Sequence, residues 1–438
     1  MKKVSLFLVV VLLMLSFAGC GSNGAETSAP ANEGAGQASG ESKEPVKVVF
    51  WTSMSGSLGD VQAEIIDDFN ASQDEVFVEA AFQGNYYDMG AKLQAAVAAG
   101  EVPHIAQVEM GRLKFFDEAE ALADMRSYIE AANIDLNDFV PGLMSFSYVD
   151  DRVISMPFNR STPLFYYNKD HFKEVGLDPE RPPQTWDELE EYAAKLSIDG
   201  ERWGFGVPID AWFYEAMIMQ GDGRILNADE TSIGFNNNTG TDPLYFWKKM
   251  VEQDYMKIPV GKEYNSFTLN RNDFSGEITS MIIDSTGALA GLTASSEFEI
   301  GAAFLPKNKR FGVPTGGANV VMMAGHNAEE EAAAWKFIEY LTSTEAVTKW
   351  AIGTGYIPAR FSAVESDEFQ SFLAENPNAQ VAIDQLEYAD IPRPFNAMYN
   401  EIHGVAMMNA IQKCIIDEGY SPEQAVADIA KETEALLK

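Results

Sequence analysis

Aromatic side chains with polar tips fall at loops and strand ends rather than only in periodic stripes: Trp51, Tyr86, Trp186, Trp212, Tyr214, Tyr356 and Tyr399. Such rings stack on the C–H faces of sugars and polyols, while convergent hydroxyls and amides fix orientation. The residue patterns that would break bonds are missing. Four histidines, His104, His171, His326 and His403, form neither HExxH nor another metal-ligand spacing. No GxSxG elbow, Walker loop or GxGxxG after a strand occurs. The 66 acidic residues guarantee carboxylate pairs by number alone, and none is singled out as a glycosidase pair. The pattern reads as capture of a small polar molecule, with no catalytic residue, metal or cofactor; an exported carbohydrate-active enzyme is the rival reading.

The elements that must position these residues follow a regular order after Pro45. Val46, Val48 and Phe50 alternate as a strand ending at Trp51, and Leu58, Val61, Ile65 and Phe69 follow at helical spacing. Val76–Phe82 reads as a strand, Tyr87–Ala99 as a helix closed by Gly100, and Ile105–Val108 as a buried strand. Alternation of this kind predicts a parallel sheet with helices on both faces, with ligand bound beyond the carboxyl ends of the strands. That rule points to Trp51–Ser53, to Gly84–Tyr86 and to Glu109. Leu164–Tyr167 is a further strand, followed by a short helix from Asn168 that stops at Gly176. Thr185 with Glu188 predicts a capping box, as does Asn327 with Glu330. Val320–Ala324 reads as a strand and Gly353–Pro358 as a turn. The length exceeds what one core supports, so two lobes are expected.

Lys2 and Lys3, then an apolar run from Val4 to Phe17, then Ala18, Gly19 and Cys20, form a secretory signal too short for a membrane span. Residues 1–19 are assigned to that signal and 20–44 to a tether rich in Gly, Ser, Ala and Glu, which spans roughly 25–30 Å as a coil. Cys414 is the other cysteine of two and lies in an apolar context, so it is expected to be a buried, inert thiol. The net charge of −35 argues against nucleic acid as a partner, because phosphate backbones need clustered Lys and Arg.

The stretch MPFNRSTPLFYYNKDHFKEVGLDPERPPQTW, from Met156 to Trp186, resembles the bacterial extracellular solute-binding proteins of the sugar-binding group, which serve ABC importers. Its PFNxSTP and YYNKDxFKxxGLDPExPPxTW elements are most similar to the branch that binds glycerol-3-phosphate. The resemblance implies an α/β fold of two lobes, each a mainly parallel sheet flanked by helices and joined by a hinge. It places 45–160 plus 312–353 in lobe I and 161–311 plus 354–438 in lobe II. It implies capture of glycerol-3-phosphate, a related glycerophosphodiester or a neutral sugar, delivery to a membrane permease, and a monomeric receptor. A cysteine at the cleavage point is similar to a lipobox, so Cys20 would carry a lipid that holds the protein at the outer face of the membrane.

Carried over residue by residue, the resemblance makes Tyr86 of GNY, Ser161 of FNRSTP, Trp186 of PPQTW, Ser285 of SMIIDSTGAL (with Thr286 beside it), Gly317 of PTGGANVVM and Tyr356 of TGYIP ligand contacts. Trp186→Ala is then expected to weaken binding. Two positions depart from the family. Glu109 comes one residue early, in QVE rather than QVYE. The position of the phosphate-binding arginine holds Asn400, leaving Arg393, Arg160 and Arg112 as substitutes. The leader carries its own test: Cys20→Ser should move the protein from the membrane fraction to the soluble fraction after export, and an unchanged membrane fraction would remove the lipid anchor.

Overall fold

A computed structural model describes residues 44–259, 264–389 and 393–438; the leader, Cys20 and the tether through Lys43 lie outside the described residues. Strands β1 (Val46–Thr52), β2 (Val76–Phe82) and β3 (Ile105–Glu109) alternate with the helices Gly56–Ser72 and Tyr86–Ala99, as the alternating periodicities predict. Asn85 opens the second helix by accepting from the N–H groups of Tyr87 and Asp88, and Gly100 closes it at φ 72°, a left-handed cap that glycine adopts without penalty.

A small hairpin, β4 (Tyr148–Val149) with β5 (Arg152–Val153), leads into β6 (Met156–Ser161) and β7 (Pro163–Asn168). The remaining strands are β8 (Phe205–Gly206), β9 (Met256–Lys257), β10 (Met281–Ser285), β11 (Ile300–Ala303) and β12 (Gly316–Met322). Two five-stranded sheets result, ordered β2-β1-β3-β12-β6 and β11-β7-β10-β8-β9. One strand in each runs against the others: β12 is antiparallel to β3 and β6, and β7 to β10 and β11. Only Thr162 separates β6 of the first sheet from β7 of the second, so the chain changes lobe there within one residue.

Each sheet is covered by its own apolar core. In the first, Phe69 meets Phe337 edge-on at 5.1 Å and Phe50 meets it at 5.7 Å; full burial of each such side chain contributes about 1.5–3 kcal/mol. In the second, Trp247, Tyr214 and Phe235 gather with the C-terminal helices, and Cys414 is buried among them, as its apolar context predicts. Burial pushes that thiol up to about 11, so it stays protonated and unreactive.

Three boundaries differ from the sequence reading. β12 begins at Gly316, four residues before the expected strand, because its first residues pair with β6. The helix Thr344–Thr354 runs into the expected turn, which starts at the left-handed Gly355. Tyr356, Ile357 and Ala359 pack in the first core, so the chain stays with lobe I beyond the expected 353/354 division; Phe369 and Leu373 then pack against the second sheet. At Thr185 only half of the capping box forms. Its hydroxyl accepts from Glu188 N–H at 3.2 Å, but the Glu188 carboxylate takes the Gln184 N–H at 2.7 Å and Arg181 at 2.6 Å instead.

The box at Asn327 is complete, with Glu330 Oε2 accepting from the Asn327 N–H at 3.1 Å. Asn327→Ala should therefore lower stability by about 1 kcal/mol, read as a fall in the denaturation midpoint at unchanged slope; no change would mean water serves that helix end equally well.

Candidate functional site

At the carboxyl ends of β1, β3 and β6 a buried polar chain interrupts the apolar pattern. The Thr52 hydroxyl and the Ser53 N–H both donate to Gln107 Oε1, at 3.0 and 2.9 Å. Gln107 Nε2 donates to Asn159 Oδ1 at 2.7 Å, and Asn159 Nδ2 donates to the Tyr86 hydroxyl at 2.5 Å. Burial, followed by the neighbouring Tyr356, pushes the Tyr86 phenol well above its ordinary value, so it remains a neutral hydroxyl. Tyr86 and Tyr356, chosen from sequence on separate loops, are thus brought together. The sequence patterns do not single out Gln107 and Asn159. Each lies two residues before a chosen one, Glu109 and Ser161, and alternation along a strand puts such pairs on one face. A lone amide inside IAQVE was the available signal.

A charged cluster joins the two lobes beside this wall. The Arg393 guanidinium donates to Glu215 Oε1 at 3.2 Å, to the Tyr399 hydroxyl at 2.6 Å and to the Thr315 carbonyl at 3.1 Å. It also lies 3.7 Å from Glu109 Oε1. Tyr399 in turn donates to Glu215 Oε2 at 3.0 Å. His403 Nε2 sits 3.3 Å from the same oxygen, at ion-pair distance but without hydrogen-bond geometry. Burial opposes the charge on Arg393 and on Glu215, but each outweighs that for the other, with help from Tyr399 for the guanidinium and from His403 and then Tyr399 for the carboxyl: the guanidinium is held fully protonated and the carboxyl below its ordinary range. Asp210, buried at the start of the helix Ala211–Gln220, is pushed up by burial despite accepting the Trp212 N–H.

Arg160 is fully buried and meets no carboxylate among the described residues. It is held by the carbonyls of Gly316 and Leu143 at 3.0 and 2.8 Å and by Asn319 Oδ1 at 3.2 Å. Burial, then Arg393, pushes it down. Arg160 and Arg393 converge on Thr315, one at its hydroxyl and one at its carbonyl.

Four aromatic rings cross between the lobes, each against a glycine. A Cβ on Gly316 would lie 2.5 Å from the Trp212 ring, one on Gly287 2.5 Å from Tyr356, one on Gly111 2.8 Å from Tyr399, and one on Gly404 3.1 Å from Tyr87. Besides His403 Nε2, three buried polar atoms at this junction have no hydrogen-bond partner among the described residues: Ser53 Oγ, Trp212 Nε1 and Thr286 Oγ1. Buried donors without partners are costly, and their collection at strand and helix ends marks where a polar ligand would complete them.

Other chosen residues have local duties. Ser285 Oγ accepts from Gly287 N–H at 3.1 Å and caps the turn after β10. Gly317 has φ 90°, and a Cβ there would lie 1.8 Å from the Asn159 carbonyl, so glycine is needed by the backbone; Gly316 beside it is what admits Trp212. Ser161 is buried at the end of β6, paired with Gly316. Asn400 lines a narrow pocket with Arg112, apart from the Arg393 cluster.

Trp186 is the chosen residue whose expected role changes. Its Nε1 donates to Gln220 at 2.8 Å and its ring lies against Phe246 at 5.3 Å, at the opposite end of the Ala211–Gln220 helix from Asp210 and Trp212. The ring that the junction contains is Trp212. Trp186→Ala should therefore cost about 2–4 kcal/mol of stability by the lost packing, with ligand affinity unchanged within twofold. A tenfold affinity loss in a variant of normal stability would restore it to the site.

Residues 64–380 match the family described as bacterial extracellular solute-binding protein. The sn-glycerol-3-phosphate-binding periplasmic protein UgpB of Yersinia pestis is 31% identical over 359 residues, covering 78% of this chain and 80% of the relative. Among solved structures, UgpB of Mycobacterium tuberculosis in complex with glycerophosphocholine superimposes with a TM-score of 0.80 at 26% identity, over 90% of this chain and 98% of that one. The GacH receptor of Streptomyces glaucescens, solved unliganded and with acarbose, gives 0.81 at 18% identity over 90% and 99%, a likeness of fold. The architecture is that of a two-lobed, type II periplasmic binding protein. With its match spanning well over half its length, the chain belongs to the bacterial extracellular solute-binding protein family.

Proposed function

We propose that this protein is the substrate-binding component of an ABC importer and that it captures a glycerophosphodiester between its lobes for delivery to a membrane permease. Sequence likeness to UgpB of Yersinia pestis supports the glycerol phosphate class. The observation that carries the choice within that class is the charge balance of the junction. Two buried guanidiniums, Arg160 and Arg393, face three carboxylates, Glu109, Glu215 and Asp210. A dianionic monoester would add two negative charges beside these three carboxylates, while Arg393 is already held in ion pairs. A zwitterionic diester brings one negative phosphate and its own cation, whose positive end suits the carboxylates and the faces of Tyr87 and Trp212. Glycerophosphocholine, the ligand of the Mycobacterium tuberculosis protein, has this chemistry.

The unpartnered Ser53, Trp212 and Thr286 supply hydrogen bonds to a glycerol moiety, as the Tyr86 and Tyr356 rings supply its apolar walls. Micromolar affinity needs about −8 kcal/mol, within reach of several hydrogen bonds and two stacked rings. In this reading Cys20 carries the lipid that keeps the receptor beside its permease.

Calorimetry on the body from Pro45 onward, titrated in parallel with glycerophosphocholine, glycerol-3-phosphate and a maltodextrin, tests the reading. Glycerophosphocholine should bind at micromolar concentration and at least tenfold more tightly than glycerol-3-phosphate. Heat from the maltodextrin with silence from both phosphates would replace the proposal with transport of a neutral sugar.

A further inference from the structure

Arg112 stands apart from the other guanidiniums near the junction. Arg393 is paired with Glu215 and Glu109, Arg271 is held by Asp284 through two hydrogen bonds of 2.9 and 2.7 Å, and Arg160 is saturated by carbonyls. Arg112 is half-buried, yet its side chain makes no hydrogen bond or ion pair among the described residues; its guanidinium stands over the face of the Tyr87 ring, 5.9 Å from the centroid. Partial burial costs it hydration that no protein group returns.

Its surroundings are built to hold it. A Cβ on Gly90 would lie 2.5 Å from the guanidinium carbon, so only glycine at that position leaves the plane its place. Glu109 caps the short turn Met110–Arg112 through the Gly111 N–H at 3.0 Å, which fixes the backbone under the side chain. The guanidinium lines a narrow pocket whose other wall comes from the second lobe, with Ala397, Asn400 and Glu401. Tyr87, on which it stacks, also touches Gly404 of that lobe.

We infer that Arg112 is the phosphate-binding residue of this receptor, its guanidinium meeting the phosphate oxygens in the pocket it shares with Asn400. A planar fork of donors with no internal partner suits two oxygens of a phosphate ester, and the Asn400 side-chain amide can donate from the opposite wall. The tyrosine face holds the plane without neutralising it. This inference rests on the reading that the ligand carries a phosphate.

The test is the same calorimetry, on wild type, Arg112→Gln, Arg112→Lys and the double variant Arg112→Gln with Asn400→Arg, using glycerophosphocholine and glycerol-3-phosphate at two salt concentrations, with melting temperatures as a check on folding. Arg112→Gln should weaken phosphate-ester binding at least thirtyfold at unchanged melting temperature and flatten its salt dependence. Arg112→Lys should retain part of the affinity. The double variant should recover at least tenfold over Arg112→Gln, because residue 400 reaches the same pocket. Wild-type affinity in Arg112→Gln overturns the inference alone; absence of phosphate-ester binding by wild type overturns it together with the proposed function. Should Arg112→Gln not fold, Arg112→Lys decides: full affinity with full salt dependence and no recovery on adding Asn400→Arg rejects the role.

Discussion

The junction depends on one buried cation. Arg393 comes from the segment that returns to the second lobe, and its partners are distributed over both lobes: Glu215 and Tyr399 on one, Glu109 at 3.7 Å on the other, and the Thr315 carbonyl just before β12. A guanidinium taken from water costs several kcal/mol unless its donors are met, so the partners cannot drift apart independently. Removing Glu215 would leave the buried guanidinium with Glu109, 3.7 Å away, as its nearest carboxylate. Glu215 answers the same constraint from the other side, sharing Arg393 and Tyr399. The pair is best read as fixing the relative placement of the lobes; a well-packed apolar substitute could match it in stability.

Around that node the lobes touch through rings on glycines. Trp212 on Gly316 and Tyr399 on Gly111 reach from the second lobe to the first, while Tyr87 on Gly404 and Tyr356 on Gly287 reach the other way. A ring laid on bare backbone approaches closer than two side chains can, and it leaves peptide groups beside it free to meet a ligand. The reciprocity means that neither lobe alone presents a finished surface. The unpartnered Trp212 Nε1 and Thr286 Oγ1 sit where these contacts occur, which is why an arrangement dense in aromatics still retains polar capacity.

Local sequence rules reached the strands, most helix ends and the strand-end location of the site, because each depends on residues close in the chain. Asn85, Asn327 and Gly100 act as their types predict. Trp186 and Trp212 could not be told apart in that way: both stand at the first turn of a helix after a capping residue, and only the contacts of Trp186 with Phe246 and Gln220, against that of Trp212 with Gly316, separate them. The adjacent glycines 316 and 317 divide two duties, one admitting a ring and the other a positive φ, and composition says nothing of which is which. Glu215 lay in the apolar run AWFYEAMIMQ, where a single carboxylate among buried residues was a signal that a partner must come from elsewhere in the chain. Sequence offers Arg393 to an anion, and its two carboxylate neighbours show why its freedom is overstated there: the contact that neutralises it joins residues 178 positions apart.

The last helical segment shows how a local irregularity serves this global constraint. Ile402–Met407 is a π-helix between two α-helical pieces. The buried apolar positions there include Ile402, Ala406 and Met407, then Ile411 and Ile415, so both the fourth and the fifth residue after Ile402 face the core, one more than a single row at helical spacing holds. A π-turn absorbs that extra residue. Before it, Tyr399 and His403 stack at 5.1 Å and both face Glu215; after it, Ile411 and Cys414 lie in the second core. A continuous α-helix would carry the polar pair and the later apolar residues on faces that could not both be satisfied. The π-turn thus reconciles a charged junction with an apolar core, and Gly404, within it, provides the bare backbone that receives Tyr87.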